Sequence, residues 1–245
     1  AYLCIQQKIA NRKLPAGTAI SEVALAAELG LSRTPVHEAI RQLLGEGLLE
    51  EDSNGSIIVV RLSQQDFVEL YELRLMLESY AVAKVAKARP AANDLARLQE
   101  LTGEIHALRS HLVKSRKKIL DEEQMRRFEV ADISFHSFLM SMAGNSAALK
   151  VFNKVRYLIR VFAARHAGHD AETLARVHNE HMEIIHALAD QDVDRAVRAV
   201  TRHIETSRQE RLKEYSYWER EALLKNEIRE FFHDGGAANS AAKQA

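Results

Sequence analysis

From residue 64 onward, apolar positions recur with a period close to 3.6, almost without a break to residue 232. The pattern predicts helices near 64–88, 92–118, 121–143, 146–166, 171–190 and 193–232. The intervening breaks fall at Arg89-Pro90, Leu120-Asp121, Gly144-Asn145, Gly168 and Asp190 to Asp192. Ser63 and Asp66 have the spacing of a capping box at the start of the first helix. Six long amphipathic helices with short connections imply an all-α antiparallel bundle over 63–232. The closing run, ending GGAANSAAKQA, has no apolar period and reads as a disordered tail over 233–245.

The first 62 residues follow another rhythm. Ile20 to Leu29 makes a short amphipathic helix with Ser21 near its start, and Gly30 permits a sharp turn after it. A second helix follows over 31–47, with Ser32 as N-cap and Pro35 in the first turn, where a missing N–H leaves no bond unmade. Val36, Ile40, Leu43 and Leu44 share its inner face, leaving Arg33, Thr34, His37 and Arg41 on another. Leu48-Leu49 opens a strand, Asp52 to Gly55 is a turn signal, and Ile57 to Val60 is a β-branched return strand. Asn54-Gly55 suits the positive φ angles of a tight hairpin. Two short helices and a tight turn followed by a hairpin predict a winged helix-turn-helix over 1–62, so the fold class is mainly α with two domains.

The groups free on that second helix suit DNA. Arg33 has the forked guanidinium that matches guanine O6 and N7 in the major groove. Ser32 and Thr34 are candidates for phosphate or base contacts, as is the backbone at Asn54 and Gly55 at the wing tip. Arg41 reads equally as a phosphate contact or a solvated helix residue. Charge limits how such a head can bind. Lys8, Arg12, Lys13, Arg33, Arg41 and Arg61 are balanced by Glu22, Glu28, Glu38, Glu46, Glu50, Glu51 and Asp52. With no basic excess, affinity must come from a local face and from two heads acting together, which implies a homodimer on a near-palindromic double-stranded operator.

The bundle raises a second question, because polar residues fall on its apolar stripes. Phe128, Asp132, Phe135, His136 and Leu139 share one face; His178, His181, Ile185 and Leu188 another; Val193, Ala196, Val200, His203 and Ser207 a third. A carboxylate and several imidazoles aimed at one core are costly to bury unpaired, and one bound divalent cation would satisfy them together. Such a donor set suits zinc foremost, with nickel or manganese as alternatives. Arg74 lies on the inward stripe of Phe67, Tyr71 and Leu77, either clamping a small carboxylate effector or paired with Glu78 one turn on. His178 reads as core or as an outer partner of the metal.

Enzyme motifs are weaker. Glu183-x-x-His186 and Glu230-x-x-His233 imitate di-iron bundle ligands, and His169-Asp170 imitates a hydrolase metal dyad. They leave a metal-dependent helical hydrolase with an accessory DNA-binding head as the alternative reading. The lone Cys4 excludes an internal disulfide and fits a reducing cytoplasm, and no apolar run is long enough for a membrane span. Ala1 falls inside a helical pattern, so a segment upstream is expected.

The run LPAGTAISEVALAAELGLSRTPVHEAIRQLLGEGLL resembles the DNA-reading head of GntR-family transcription regulators. His37 stands where that family usually has Arg, which makes one contact doubtful or pH-sensitive. Residues from about 66 to 205 resemble the FCD effector domain of the FadR-type subgroup, in LYELRLMLE (70–78), DISFHSFLMSMAGN (132–145), EHMEIIHALADQDVDRAV (180–197) and the later His203. The resemblance implies a bacterial, ligand-responsive repressor with metal ligands Asp132, His136, His181 and His203. Some relatives lack that set and bind no metal. For such a regulator, effector binding is expected to shift helices against the linker near 60–66 and so to change the spacing of the two heads.

Overall fold

The computed structural model describes residues 1–10, 13–162 and 168–216. The expected helical stretches 163–166 and 217–232, the tail 233–245, and Glu230 with His233 lie outside the described residues.

The head begins with α1 (Tyr2–Ala10), α2 (Glu22–Leu29) and α3 (Arg33–Gly45). The Ser21 hydroxyl accepts the Ala24 amide at 3.3 Å and starts α2. Gly30 ends it at φ 64°, returning its amide to the Ala26 and Ala27 carbonyls, a conformation that strains any side-chain-bearing residue. Ser32 stands at the N-cap of α3, but its hydroxyl makes no capping bond, contrary to the expected role. The wing pairs β1 (Leu49–Glu51) antiparallel to β2 (Ile57–Val59), with Leu49 opposite Val59.

The turn between them also departs from expectation. Asp52 Oδ1 accepts the amides of Asn54 and Ser56, both at 2.9 Å, and the Asp52 carbonyl accepts the Gly55 amide at 3.0 Å. Only Gly55 in that turn has positive φ, at 77°, so an aspartate-built loop over 52–56 replaces the tight Asn-Gly hairpin. A further edge is added by Ala19, which bridges to Ile58, flanked by bonds from Gly17 to Val59 and Ile20 to Ile57. The head's buried core is wholly aliphatic, drawn from Ile5, Ile9, Val36, Ile40, Leu43 and Val59 among others.

The bundle comprises α4 (Gln64–Ala88), α5 (Ala92–Ser115), α6 (Glu122–Met142), α7 (Ser146–Phe162), α8 (Ala171–Ala189) and α9, described over 193–216. Capping boxes at Ser63/Asp66 and Asp121/Gln124 begin α4 and α6. α5 stops earlier than expected because Arg116 turns left-handed at φ 56°. The bundle core gathers Phe67, Tyr71, Phe135, Leu139, Phe152, Ile184 and Val200. Among the described residues, α7 and α9 both reach back to the head and linker. Tyr157 and Leu158 of α7 pack against the head core, and the Tyr157 hydroxyl donates to the Gln6 carbonyl at 3.0 Å. The Tyr215 hydroxyl reaches the Leu62 carbonyl in the linker at 3.4 Å.

Candidate metal centre and DNA-reading face

The stripes of α6, α8 and α9 converge as their periodicity implied. Asp132, His136, His181 and His203 each offer a ligand atom, and these atoms lie within 4.8 Å of one another. Asp132 Oδ1 stands 3.6 Å from both His136 Nε2 and His181 Nε2, and His136 Nε2 stands 3.1 Å from His203 Nε2. All three imidazoles are buried, with His136 and His181 at 0% exposure. Phe135 stacks on His181 with centroids 3.9 Å apart and planes 3° from parallel, which fixes that ring's orientation.

The outer nitrogens show which way the lone pairs face. His136 Nδ1 bonds Glu78 Oε2, His203 Nδ1 lies 2.8 Å from Glu180 Oε2, and His181 Nδ1 lies 3.2 Å from Thr102 Oγ1. Carboxylates accept, so the first two rings carry their proton on Nδ1. A guanidinium only donates, so Arg74, 3.0 Å from His136 Nε2, confirms a lone pair there. Burial holds His181 well below the usual histidine value, and its Nε2 has no hydrogen-bond partner among the described residues. Burial also lowers His203, against the pull of Glu180. Burial would raise the Asp132 carboxyl, but the Arg156 guanidinium bonded to it outweighs that and holds it well below the ordinary range. Neutral nitrogens, one of them orphaned, facing one ionised carboxylate are the donors a divalent cation requires.

Asp132 and His203 also line a cavity of about 930 Å³ that is bordered by Arg156, Arg160, Arg176 and Ser207. Arg74 is not among its lining residues. It is 1% exposed and donates to Glu78 Oε1 at 2.6 Å, which is the ion-pair reading of that residue rather than the clamp. Arg156 occupies the position expected of Arg74. It bonds Asp132 Oδ2, lines the cavity, and has a buried Nε without a partner among the described residues. His178, expected in the core or as an outer partner of the metal, instead faces His106 with ring centroids 5.1 Å apart.

On the head, Ser32, Arg33, Thr34, His37, Arg41, Asn54 and Gly55 are all exposed. Arg33 keeps 71% of its side chain free and lies 3.7 Å from Glu22. The same glutamate holds His37 Nδ1 at 2.7 Å, so His37 is not a free histidine. The wing-tip amides expected to meet phosphate are already bonded within the turn, which leaves the Asn54 side chain as the available donor.

Sequence reading missed Thr102, Arg156 and Glu180. Arg156 lies one helical turn from the buried Phe152 and so carries the same inward-polar signal as Arg74. Thr102 follows buried Leu98 at the same spacing. Glu180 lies three residues after buried Val177 and four before buried Ile184, so it carries the signal too.

A winged head joined to a helical bundle is the layout of a DNA-binding transcription regulator, and comparison with known proteins makes that specific. Residues 1–59 match the bacterial regulatory proteins of the gntR family, and residues 69–206 match the FCD domain. The chain is 31% identical to a protein named as a D-xylose utilization operon transcriptional repressor of Paenarthrobacter nicotinovorans, over 82% of each chain. It is 33% identical to the Nta operon transcriptional regulator of Aminobacter aminovorans, over 77% of this chain and 82% of that one. The structure of McbR/YncC from E. coli shares the fold with a TM-score of 0.68 at 18% identity, covering 87% of this chain and 96% of that one. The protein belongs to the GntR family of bacterial transcription regulators and carries an FCD domain.

These relatives are named as regulators rather than enzymes, and two residues of the enzyme-like motifs are engaged elsewhere. Glu183 is held by Arg195 at 2.9 Å, and Asp170 caps α8 by accepting the Thr173 amide at 2.8 Å. No helix among the described residues is long and apolar enough to cross a membrane.

Proposed function

We propose that the chain is a repressor whose bundle, residues 63–232, holds one divalent cation and senses a small carboxylate, while its head, residues 1–62, reads operator DNA. The observation that carries the sensing half is the orphaned His181 Nε2, facing Asp132 beside two imidazoles whose outer nitrogens are already committed. Asp132, His136, His181 and His203 would hold the ion, zinc foremost and nickel or manganese otherwise. When bound, the ion supplies a Lewis-acid contact for a carboxylate oxygen.

The chain's own residues then choose the ligand. Arg156 lines the cavity beside Asp132, whereas Arg160 and Arg176 on the same wall are already paired, with Glu129 and with Glu180 and Glu210. The preference for a small organic acid over a neutral sugar rests on Arg156 and the bound ion acting together on one carboxylate.

In the head, Arg33 reads a base edge, Ser32 and Thr34 meet phosphates or bases, and His37, Arg41 and Asn54 contact the backbone. Two such heads, paired through a homodimer, fit a near-palindromic site. Coupling passes along α7, whose Arg156 grips Asp132 while the next residue, Tyr157, grips α1. An acid bound at Arg156 can shift the heads only by favouring one head arrangement over the other.

Operator affinity of metal-replete protein, measured with and without a panel of small organic acids, tests this. One acid should weaken binding by about 5- to 150-fold at saturation. Saturable binding of an acid with unchanged operator affinity refutes the coupling.

A further inference from the structure

The three imidazoles of the centre have unlike outer partners. His181 meets the neutral Thr102 hydroxyl, and His136 meets Glu78, which is sealed with Arg74 at 0% exposure. His203 meets Glu180, whose carboxylate also takes Arg176 at 3.1 Å. Arg176 in turn binds both oxygens of Glu210, at 2.6 and 2.7 Å. Glu180 therefore reaches from α8 across to α9 and ends a charged chain that starts at the cavity wall, where Arg176 and Glu210 lie.

We propose that Glu180 is a positioning residue of the metal centre, acting through His203. By accepting from Nδ1 it selects the tautomer that leaves Nε2 bare toward the other three ligands, and its negative charge makes that nitrogen a stronger donor. Without it, His203 is free to place its proton on Nε2, where N–H faces the cation. Glu180 and His181 are successive residues, so one turn of α8 supplies a ligand and orients a second ligand borne by α9. Thr102 has no charge to offer His181, which concentrates this influence on the two carboxylates. The inference rests on the reading of the cluster as a cation site.

The test uses the full chain, a competitive zinc titration against a chromophoric chelator, and the visible spectrum of the Co²⁺-loaded protein. Glu180→Gln should weaken zinc binding by about 10- to 100-fold and shift the cobalt bands, with circular dichroism unchanged. Glu180→Asp keeps the charge but withdraws it from the ring, and should show a smaller loss in the same direction. Arg176→Gln breaks the neighbouring ion pair but leaves His203 its acceptor, and should keep wild-type affinity. Equal losses in Glu180→Gln and Arg176→Gln, or an unaltered affinity and spectrum in Glu180→Gln, overturn the proposal. Failure of the wild-type chain to take up zinc stoichiometrically overturns the cation reading instead.

Discussion

The head and the bundle distribute polar groups in opposite ways. Every buried residue of the head core is aliphatic, and its candidate DNA contacts stand outside. The buried polar residues among those described, Arg74, Glu78, Thr102, Gln124, His136, Arg156, His181 and His203, all belong to the bundle. A reader of DNA needs a rigid frame beneath side chains that meet an external partner. A sensor must bring its partner inside, so its ligating groups are desolvated before anything binds. The head's stability is thus independent of what it reads, whereas the bundle's is tied to the charge state of its centre.

The largest effect should come from unpairing the bundle's interior. Glu78→Ala leaves Arg74 buried opposite no carboxylate and should destabilise by about 3–5 kcal/mol in denaturant unfolding. A loss below about 1 kcal/mol would mean the interior is wet and the contrast with the head is false.

Metal removal comes next. A cation at a thousand times its Kd stabilises by about 4 kcal/mol, so chelation should speed hydrogen exchange in α6, α8 and α9 while leaving α2 and α3 unchanged. Equal acceleration in both regions would erase the distinction. On the head, Arg33→Ala should cost about 1–3 kcal/mol of operator affinity and relax one base position, without altering the melting temperature. A uniform loss across sequences would make Arg33 a phosphate contact.

Two serines give the finest contrast. Ser63→Ala removes a capping box and should cost about 1 kcal/mol of stability. Ser32→Ala removes no capping bond and should weaken only DNA binding. Acid sharpens the Ser63 case. Ser63 holds the Asp66 carboxyl below its ordinary value, so its folded value lies below the unfolded one. Its contribution is complete above about pH 4 and fades as pH falls through the lowered value.

The legible parts of this chain are those governed by period. The limits of α4, α6 and α8 and the convergence of Asp132, His136, His181 and His203 follow from which positions face inward, and the Ser63/Asp66 capping box from residue type and spacing. Arg156 and Thr102 obeyed the same rule and could have been found with it. The wing turn was misread because Asp52 competes for the amides that Asn54-Gly55 would have placed in a tighter hairpin. Ser32 looked like a cap by type alone, and type does not say where a hydroxyl points. Glu180 obeyed the inward rule as well, but its pairing with His203 needed the distance between two helices, which no single-helix pattern contains. Arg74 had two inward explanations, and only the position of Glu78 relative to the cavity separates them.

Arg156 and Tyr157 are successive residues on α7, so their side chains leave the helix about 100° apart around its axis. One is fastened to the bundle's ionised carboxylate and the other to a carbonyl of the head. Twisting this rod loosens or strains both fastenings at once, whereas bending its far end disturbs neither. Torsion of a single rod, rather than hinge flexure in the linker, is the motion these two grips would register.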